Sequence, residues 1–342
     1  MTAPIEEVDV DRLRAWLMSS APQLDVKVNE SIDATRVGGG YSNLTYDVAI
    51  GSDTDARHVI LRRPPVGVRA ERGAHDMRRE FRVLSVVHGS AVPVPVPIAL
   101  CEDESVLGGI FFLMSKVEGV AVRRLDDAPA LRDPAVMRRM SESCIDALAR
   151  LHALPVTSTA LYDASKAEGY GARQVANWRA RWSAARPTDV PDVDAAIVFA
   201  WLAAHLPEPS PPALLHNDWK FDNLLVDGAD PSVIHGVLDW EMAHLGDPIE
   251  DLAWAVHELW HRELIPRDEC IEVYERTSGL AVDRDVLHWW DVFTGIKAQG
   301  IWLTGAKSFN DGRSSELILA YAAYMLTNGT DEAILRSLGR GA

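Results

Sequence analysis

Strand signals in this chain are confined to its first third and to one short island, Leu214–Trp240, inside a remainder patterned for helices. A doubly wound sheet needs strands and helices in regular alternation, and this chain lacks that alternation. In the first third, Arg36–Val48 holds a glycine cluster that leads into the alternating run Leu44-Thr45-Tyr46-Asp47-Val48. His58–Arg62 reads as a second strand, stopped by Pro64-Pro65, and Ile110–Met114 as a third, apolar one. His75–Val87 has helical spacing, with Phe81 and Leu84 on one face. Pro93, Pro95 and Pro97 mark an extended connector, and Gly119 a hinge. Beyond it, Pro134–Leu154, Tyr170–Ala185, Asp192–Leu206, Pro248–Trp260 and the tail to Leu338 read as helices. The expected fold is α+β in two lobes. A small β-rich N-terminal lobe takes residues 1–115, and a larger, mainly helical C-terminal lobe takes residues 116–342.

The chemistry concentrates in the island. It reads Leu215-His216-Asn217-Asp218-Trp219-Lys220-Phe221-Asp222-Asn223-Leu224-Leu225-Val226, then Asp227-Gly228 and, after a turn, Val237-Leu238-Asp239-Trp240-Glu241. A loop leaves a strand and presents Asp218. The next strand opens with Asn223, and a turn over Asp227–Ser232 returns a strand ending at Asp239. Asp218, Asn223 and Asp239 are therefore expected at one end of a hairpin. Two carboxylates and an amide are hard oxygen donors, suited to Mg²⁺ and to the proton of a hydroxyl. Phosphoryl transfer needs little more than metal across the phosphates and a group that orients the acceptor. In that chemistry Asp218 takes the proton, Asn223 and Asp239 hold Mg²⁺, and His216 supports the loop.

The net charge of -16 sharpens the reading. Such a surface repels nucleic-acid phosphates and anionic membranes, so neither is an expected partner. An acidic protein that binds ATP must supply local positive charge or metal. The three cysteines, Cys101, Cys144 and Cys270, form no Cys-x-x-Cys pair and read as buried free thiols of a reducing compartment. The N-terminal residues lack the basic and apolar regions of a signal peptide, and the apolar run Ala195–Leu206 is too short to span a bilayer. That run reads as a buried helix, and the protein as cytoplasmic.

His216-x-Asp218-x-x-x-x-Asn223 resembles the catalytic loop of the aminoglycoside phosphotransferase superfamily, which shares its architecture with protein kinases. Asp239 falls where that family has its second metal-binding aspartate. The run Leu238-Asp239-Trp240-Glu241, followed by Leu245-Gly246-Asp247-Pro248 and Asp251-Leu252-Ala253-Trp254, looks most like the branch that some organisms fuse to acyl-CoA dehydrogenases. The resemblance implies ATP and Mg²⁺ as cofactors. It makes Val37–Tyr46 the phosphate-covering loop, with Gly39, Gly40, Ser42 and Asn43 toward the nucleotide; glycines let backbone amides approach phosphates closely. It places Arg62 where kinase-like folds carry a lysine, with Glu80 as its partner. Strand alternation then lets only one of Arg62 and Arg63 face inward. Phe111–Gly119 resembles the inter-lobe linker, where adenine would meet the Ser115 carbonyl and the Val117 amide beside Met114. Asp247 and Asp251 read as structural supports.

The acceptor implied is a hydroxyl of a small molecule. Trp178, Trp182, Trp260, Trp289, Trp290 and Trp302 fall where the family builds its acceptor pocket, although core packing accounts for most of them. Polar candidates there are His257, Glu258, His261, Lys297, Gln299 and Arg313. The branch resemblance suggests a hydroxy acid or hydroxyacyl thioester. A nucleotide-binding scaffold without turnover and an aminoglycoside kinase in the narrow sense stand as alternatives. A metal-dependent hydrolase using the His216/Asp218 cluster is a third reading.

Overall fold

The structure, a computed structural model, describes residues 7–37, 43–52, 55–65, 76–163, 168–186, 193–261, 265–312, 317–321 and 338. The chain packs as two compact units, neither of them one continuous stretch. The first takes Met1–Leu161 and Asp218–His244, the second Tyr162–Asn217 and Leu245–Ala342. The chain-order division at residue 115 is a different partition, because residues 116–161 and 218–244 pack with the first unit.

In the first unit, strands β1 (Ile32–Arg36), β2 (Leu44–Ile50), β3 (Arg57–Arg63), β4 (Pro97–Cys101) and β5 (Phe111–Ser115) form one antiparallel sheet in the order β1-β2-β3-β5-β4. Pro97, expected in the connector, instead opens β4. A proline is tolerated there because β4 is an edge strand and this is its first residue. Alternation in β2 buries Leu44, Tyr46, Val48 and Ile50 on one face. Helix α1 (Val10–Ser20), capped by Asp9, covers that face with Leu13 and Leu17, four residues apart and so one above the other. Trp16 meets Phe111 edge-on at 4.9 Å. Helix α2 (Met77–Val87) starts where the Asp76 side chain accepts from the Arg79 N–H, and its Phe81 packs on Phe112 of β5. The short helix α3 (Glu104–Leu107) and the long helix α4 (Pro134–His152) are the other α-helices among the unit's described residues.

A smaller antiparallel sheet of β6 (Val120–Ala121), β8 (Leu224–Val226) and β9 (Ile234–Val237) carries the island's hairpin; β7 (Ala213–Leu215) precedes the loop. The turn is set by Asp227, whose Oδ1 accepts from the Ala229 and Asp230 amides. Gly119, expected as a hinge, has φ +153° and lies so close to β8 that a Cβ would meet the Val226 carbonyl oxygen at 3.0 Å. Close packing therefore requires a glycine there.

In the second unit, α5 (Tyr170–Ala185), α6 (Val193–Ala204) and α7 (Pro248–His261) pack against the 27-residue helix α9 (Arg284–Asn310), and α8 (Arg267–Ser278) packs on α7. Trp289, Trp290 and Phe293 of α9 are buried together, and Trp289 Nε1 donates to the Leu202 carbonyl at 3.1 Å. These tryptophans are core. Helix α6 buries only one face, through Ala195, Val198, Phe199 and Leu202; it is not the fully buried helix its apolar sequence suggests. Alanines make up much of its other face, and they are small enough to stand in water. No described helix is long and apolar enough to cross a membrane.

Candidate active site

The loop after β7 is fixed from its first residues. Asp251, fully buried on α7, accepts the His216 N–H at 2.6 Å and the Asn217 N–H at 2.8 Å. Asp247 caps α7, its carboxylate taking the Ile249 and Ser210 amides at 3.0 and 3.3 Å, with Pro248 at the first helical position. Burial raises the Asp247 carboxyl above its ordinary value. Both acids are structural supports. Gly246 has a steric reason as well: a Cβ there would stand 2.4 Å from the Tyr170 ring.

Beyond Asn217 the chain reaches Asp218 in the first unit. The Asp218 carboxylate takes Lys220 Nζ at 2.8 Å and Asn223 Nδ2 at 2.9 Å; the same Nδ2 also donates to the Asp218 carbonyl at 2.9 Å. Asn223 thus spends its amide nitrogen on Asp218, which leaves Oδ1 as its donor atom for a cation. Burial works against the Lys220 charge, but Asp218 outweighs it, aided by Asp222 and Asp239, and holds the ammonium above its ordinary value. The hairpin register pairs Leu224 with Val237, and the Leu238 N–H donates to the Asn223 carbonyl at 2.8 Å. Asn223 and the residue before Asp239 therefore meet at one hairpin end.

Asp239 has φ +66°, a left-handed backbone rare outside glycine. Its Oδ1 accepts from Arg62 Nη2 at 2.7 Å. Arg62 Nε lies 3.0 Å from Glu80, and Nη2 also reaches Glu241 at 3.2 Å. Asn43 donates to the same Glu241 carboxylate at 3.0 Å, and Arg79 to the Glu241 carbonyl. Burial opposes the Arg62 charge, yet Glu80, Asp239 and Glu241 outweigh it and raise its affinity for the proton. Burial pushes the Glu80 carboxyl up to about 7, with Arg62 pulling the other way.

Arg63 departs from expectation. It lies on the same face of β3 as Val59 and Leu61, only 3% exposed, and donates to the Leu107 carbonyl at 2.8 Å with its guanidinium over the Tyr46 ring. Both arginines are enclosed, on opposite faces of one strand. Arg62 faces the acids, and Arg63 faces the hydrophobic core.

Met114 is buried at the end of β5. Ser115 exchanges hydrogen bonds with Val96, N–H to carbonyl at 2.9 Å and hydroxyl from amide at 2.8 Å. Val117 packs on Gly236, where a Cβ would meet it at 3.1 Å. Gly39, Gly40 and Ser42 lie outside the described residues, as do Arg313 and the side chains of Glu258, His261 and Trp260. Among the other acceptor candidates, His257 is exposed, Gln299 is 1% exposed, and Lys297 is fully enclosed and bonded to Glu250. Lys297 is not a pocket-lining side chain. Sequence reasoning missed Lys220 and Glu241 as partners. The available signal was the cation two residues after Asp218, in a chain whose acidity requires one.

The donor set suits Mg²⁺ carried by a nucleotide. No group of three or more acidic, histidine or cysteine side chains is placed to hold a metal ion among the described residues. Mg²⁺ commonly takes one or two protein oxygens and completes its shell with phosphates and water. The Asn223 amide oxygen and the Asp239 carboxylate fit that role.

A mixed sheet-and-helix chain with a His-x-Asp-x4-Asn loop, a hairpin acid and an Arg–Glu pair is a kinase-like protein. The model of the APH phosphotransferase enzyme family matches residues 33–290, and the chain belongs to that family. Human acyl-CoA dehydrogenase family member 11 is 29% identical over 334 residues, which are 90% of this chain and 41% of that protein. The chain thus spans about two fifths of that relative's length. A Ralstonia eutropha protein assigned to the aminoglycoside phosphotransferases superposes with a TM-score of 0.78 at 22% identity, covering 97% of this chain and 99% of that one. A thermostable mutant of aminoglycoside phosphotransferase APH(4)-Ia, in ternary complex with AMP-PNP and hygromycin B, gives 0.61 at 19%, covering 95% and 98%. At these identities the structural matches show a shared fold.

Proposed function

We propose that this chain is an ATP- and Mg²⁺-dependent kinase that transfers the γ-phosphoryl group to a hydroxyl of a small molecule. The observation that carries the reading is the Asp218 carboxylate held by Asn223 and Lys220 at the hairpin end that leads to Asp239. Asp218 orients the acceptor hydroxyl and takes its proton as the oxygen attacks the γ-phosphorus. The new O–P bond forms, the bond to the β-phosphate oxygen breaks, and the products are a phosphate ester and ADP. Lys220 supplies positive charge beside the base, against the charge on the transferring phosphoryl oxygens. Arg62, oriented by Glu80, serves the α- and β-phosphates. Asn223 Oδ1 and Asp239 would hold Mg²⁺, which when bound would supply positive charge against the phosphate oxygens. The AMP-PNP bound by one structural relative supports nucleotide use.

For the acceptor we favour a hydroxy acid or hydroxyacyl thioester, because the curated relative carries acyl-CoA in its name. Three buried free thiols suit a cytoplasmic setting. The test is ATP consumption across hydroxyacyl thioesters, hydroxy acids, choline and aminoglycosides, with Mg²⁺ and with EDTA. Turnover on a thioester or acid, abolished by EDTA, is expected. Efficient turnover on kanamycin-like compounds would reassign the acceptor. One observation favours a nucleotide-binding scaffold instead: Arg62 engages Asp239, the residue offered to the metal. Mg-ATP binding without turnover on any compound would select that reading.

A further inference from the structure

The second unit holds a buried polar cluster that ends on the residue before Asp218. Lys297 of α9 and Glu250 of α7 have no exposed side-chain surface and lie 2.8 Å apart. The other Glu250 oxygen accepts from the Tyr170 hydroxyl at 2.6 Å, and that hydroxyl accepts from Gln174 at 2.7 Å. Lys297 also donates to Asn217 Oδ1, and its ammonium faces the rings of Trp254 and Trp178 at 5.5 and 6.0 Å. Asn217 has φ +69°, and its N–H and that of His216 both end on Asp251. The dipeptide is thus held through its main chain by a buried acid and through its side chain by a buried cation.

Stability alone does not explain this arrangement. Desolvation offsets most of the attraction in an enclosed ion pair, and packed apolar side chains serve as well or better. Glycine would adopt the left-handed φ freely, and asparagine less freely. The chain carries the residue that adds a side-chain amide, together with a buried lysine that grips it. Such a device fixes geometry, and the geometry it fixes is the entry of the chain into Asp218.

We propose that Lys297 is a positioning residue: through Asn217 Oδ1 it locks the left-handed turn from which the chain delivers the Asp218 carboxylate. Its catalytic consequence rests on the phosphotransferase reading above; its effect on the loop does not. With no exposed surface, Lys297 takes no part in binding the acceptor.

Two variants of the whole chain test this. Lys297→Met with Glu250→Gln removes the cation and its counter-charge together and leaves neither member of the pair alone. Asn217→Gly keeps the left-handed backbone and removes the side chain that Lys297 grips. Amide hydrogen exchange over residues 214–220 and Mg-ATP turnover, with kcat and KM separated, are the readouts. In both variants exchange at His216 and Asn217 should rise by about tenfold or more, while protection elsewhere holds. kcat should fall by roughly 10–100-fold, the penalty typical of a small misplacement, with KM for ATP within about twofold. Folded variants with wild-type exchange and wild-type kcat would overturn the assignment. So would a loss of protection spread over the whole unit, which is the mark of a merely structural role. A wild type with no turnover would remove the phosphotransferase reading, and the exchange data alone would then decide whether Lys297 locks the loop.

Discussion

At Asp218 the carboxylate touches Lys220 and Asn223, while Asp239 is engaged by Arg62. The proposed base and the proposed second metal ligand are thus held by different partners, so their substitutions should separate. Asp218→Asn should lower turnover by about 10²–10⁴-fold, the usual share of a general base, and leave Mg-ATP affinity nearly unchanged. A folded Asp218→Asn protein with full turnover on its acceptor, or in slow ATP hydrolysis, would take Asp218 out of the mechanism. Asp239→Ala should instead weaken nucleotide binding in Mg²⁺ and leave binding in EDTA unaffected; calorimetry in both buffers reads the difference. The two neighbouring arginines should separate in the same way. Arg62→Ala should raise KM for ATP. Arg63→Ala removes a buried guanidinium that fills core space and bonds the Leu107 carbonyl, so it should cost roughly 2–4 kcal/mol of stability, read by denaturant titration.

Elements here are placed by small steric and capping devices at their ends. Helix α7 begins at the Asp247 cap, and the glycine just before it lets Tyr170 of α5 come close. Tyr170 in turn holds Glu250 at 2.6 Å. Gly246→Ala would force a methyl group to within 2.4 Å of the Tyr170 ring, and the ring would have to move. The expected loss is about 1–3 kcal/mol, typical of overpacking. Tyr170→Phe should relieve only part of the clash, because the ring carbon Cζ remains. Thermal unfolding of the single and double variants checks both statements.

For the molecule as a whole, Glu80 links stability to pH. Its ordinary value is 4.5, and burial lifts it to about 7 in the folded protein. Below 4.5 the carboxyl is protonated in folded and unfolded chains alike. Between 4.5 and 7 the folded chain keeps the proton and the unfolded chain loses it, so stability falls as pH rises and levels off above 7. The decline due to this group should be about 3 kcal/mol. Glu80→Gln should lack it. Parallel stability–pH curves for wild type and variant over that window would show that Glu80 is not shifted.

The sequence by itself determined strands β2, β3 and β5, helices α2, α4, α5 and α7, the hairpin that joins Asn223 to the approach of Asp239, and the family. These follow from local patterns: alternation over β2 and β3, helical spacing in α5, and turn residues such as Asp227 that bond their own neighbours. The tertiary structure alone decided the partners. Alternation put Arg62 and Arg63 on opposite faces, but which face meets acids and which meets the core depends on α2 and α1 packing from either side. Lys297 reads in sequence as a polar residue free to line a pocket, yet it pairs with Asn217, 80 positions away. Arg62 and Asp239 lie 177 positions apart. Pairings of that range leave no periodic trace in the chain, because they are fixed by which buried charges the packed elements leave within reach of one another.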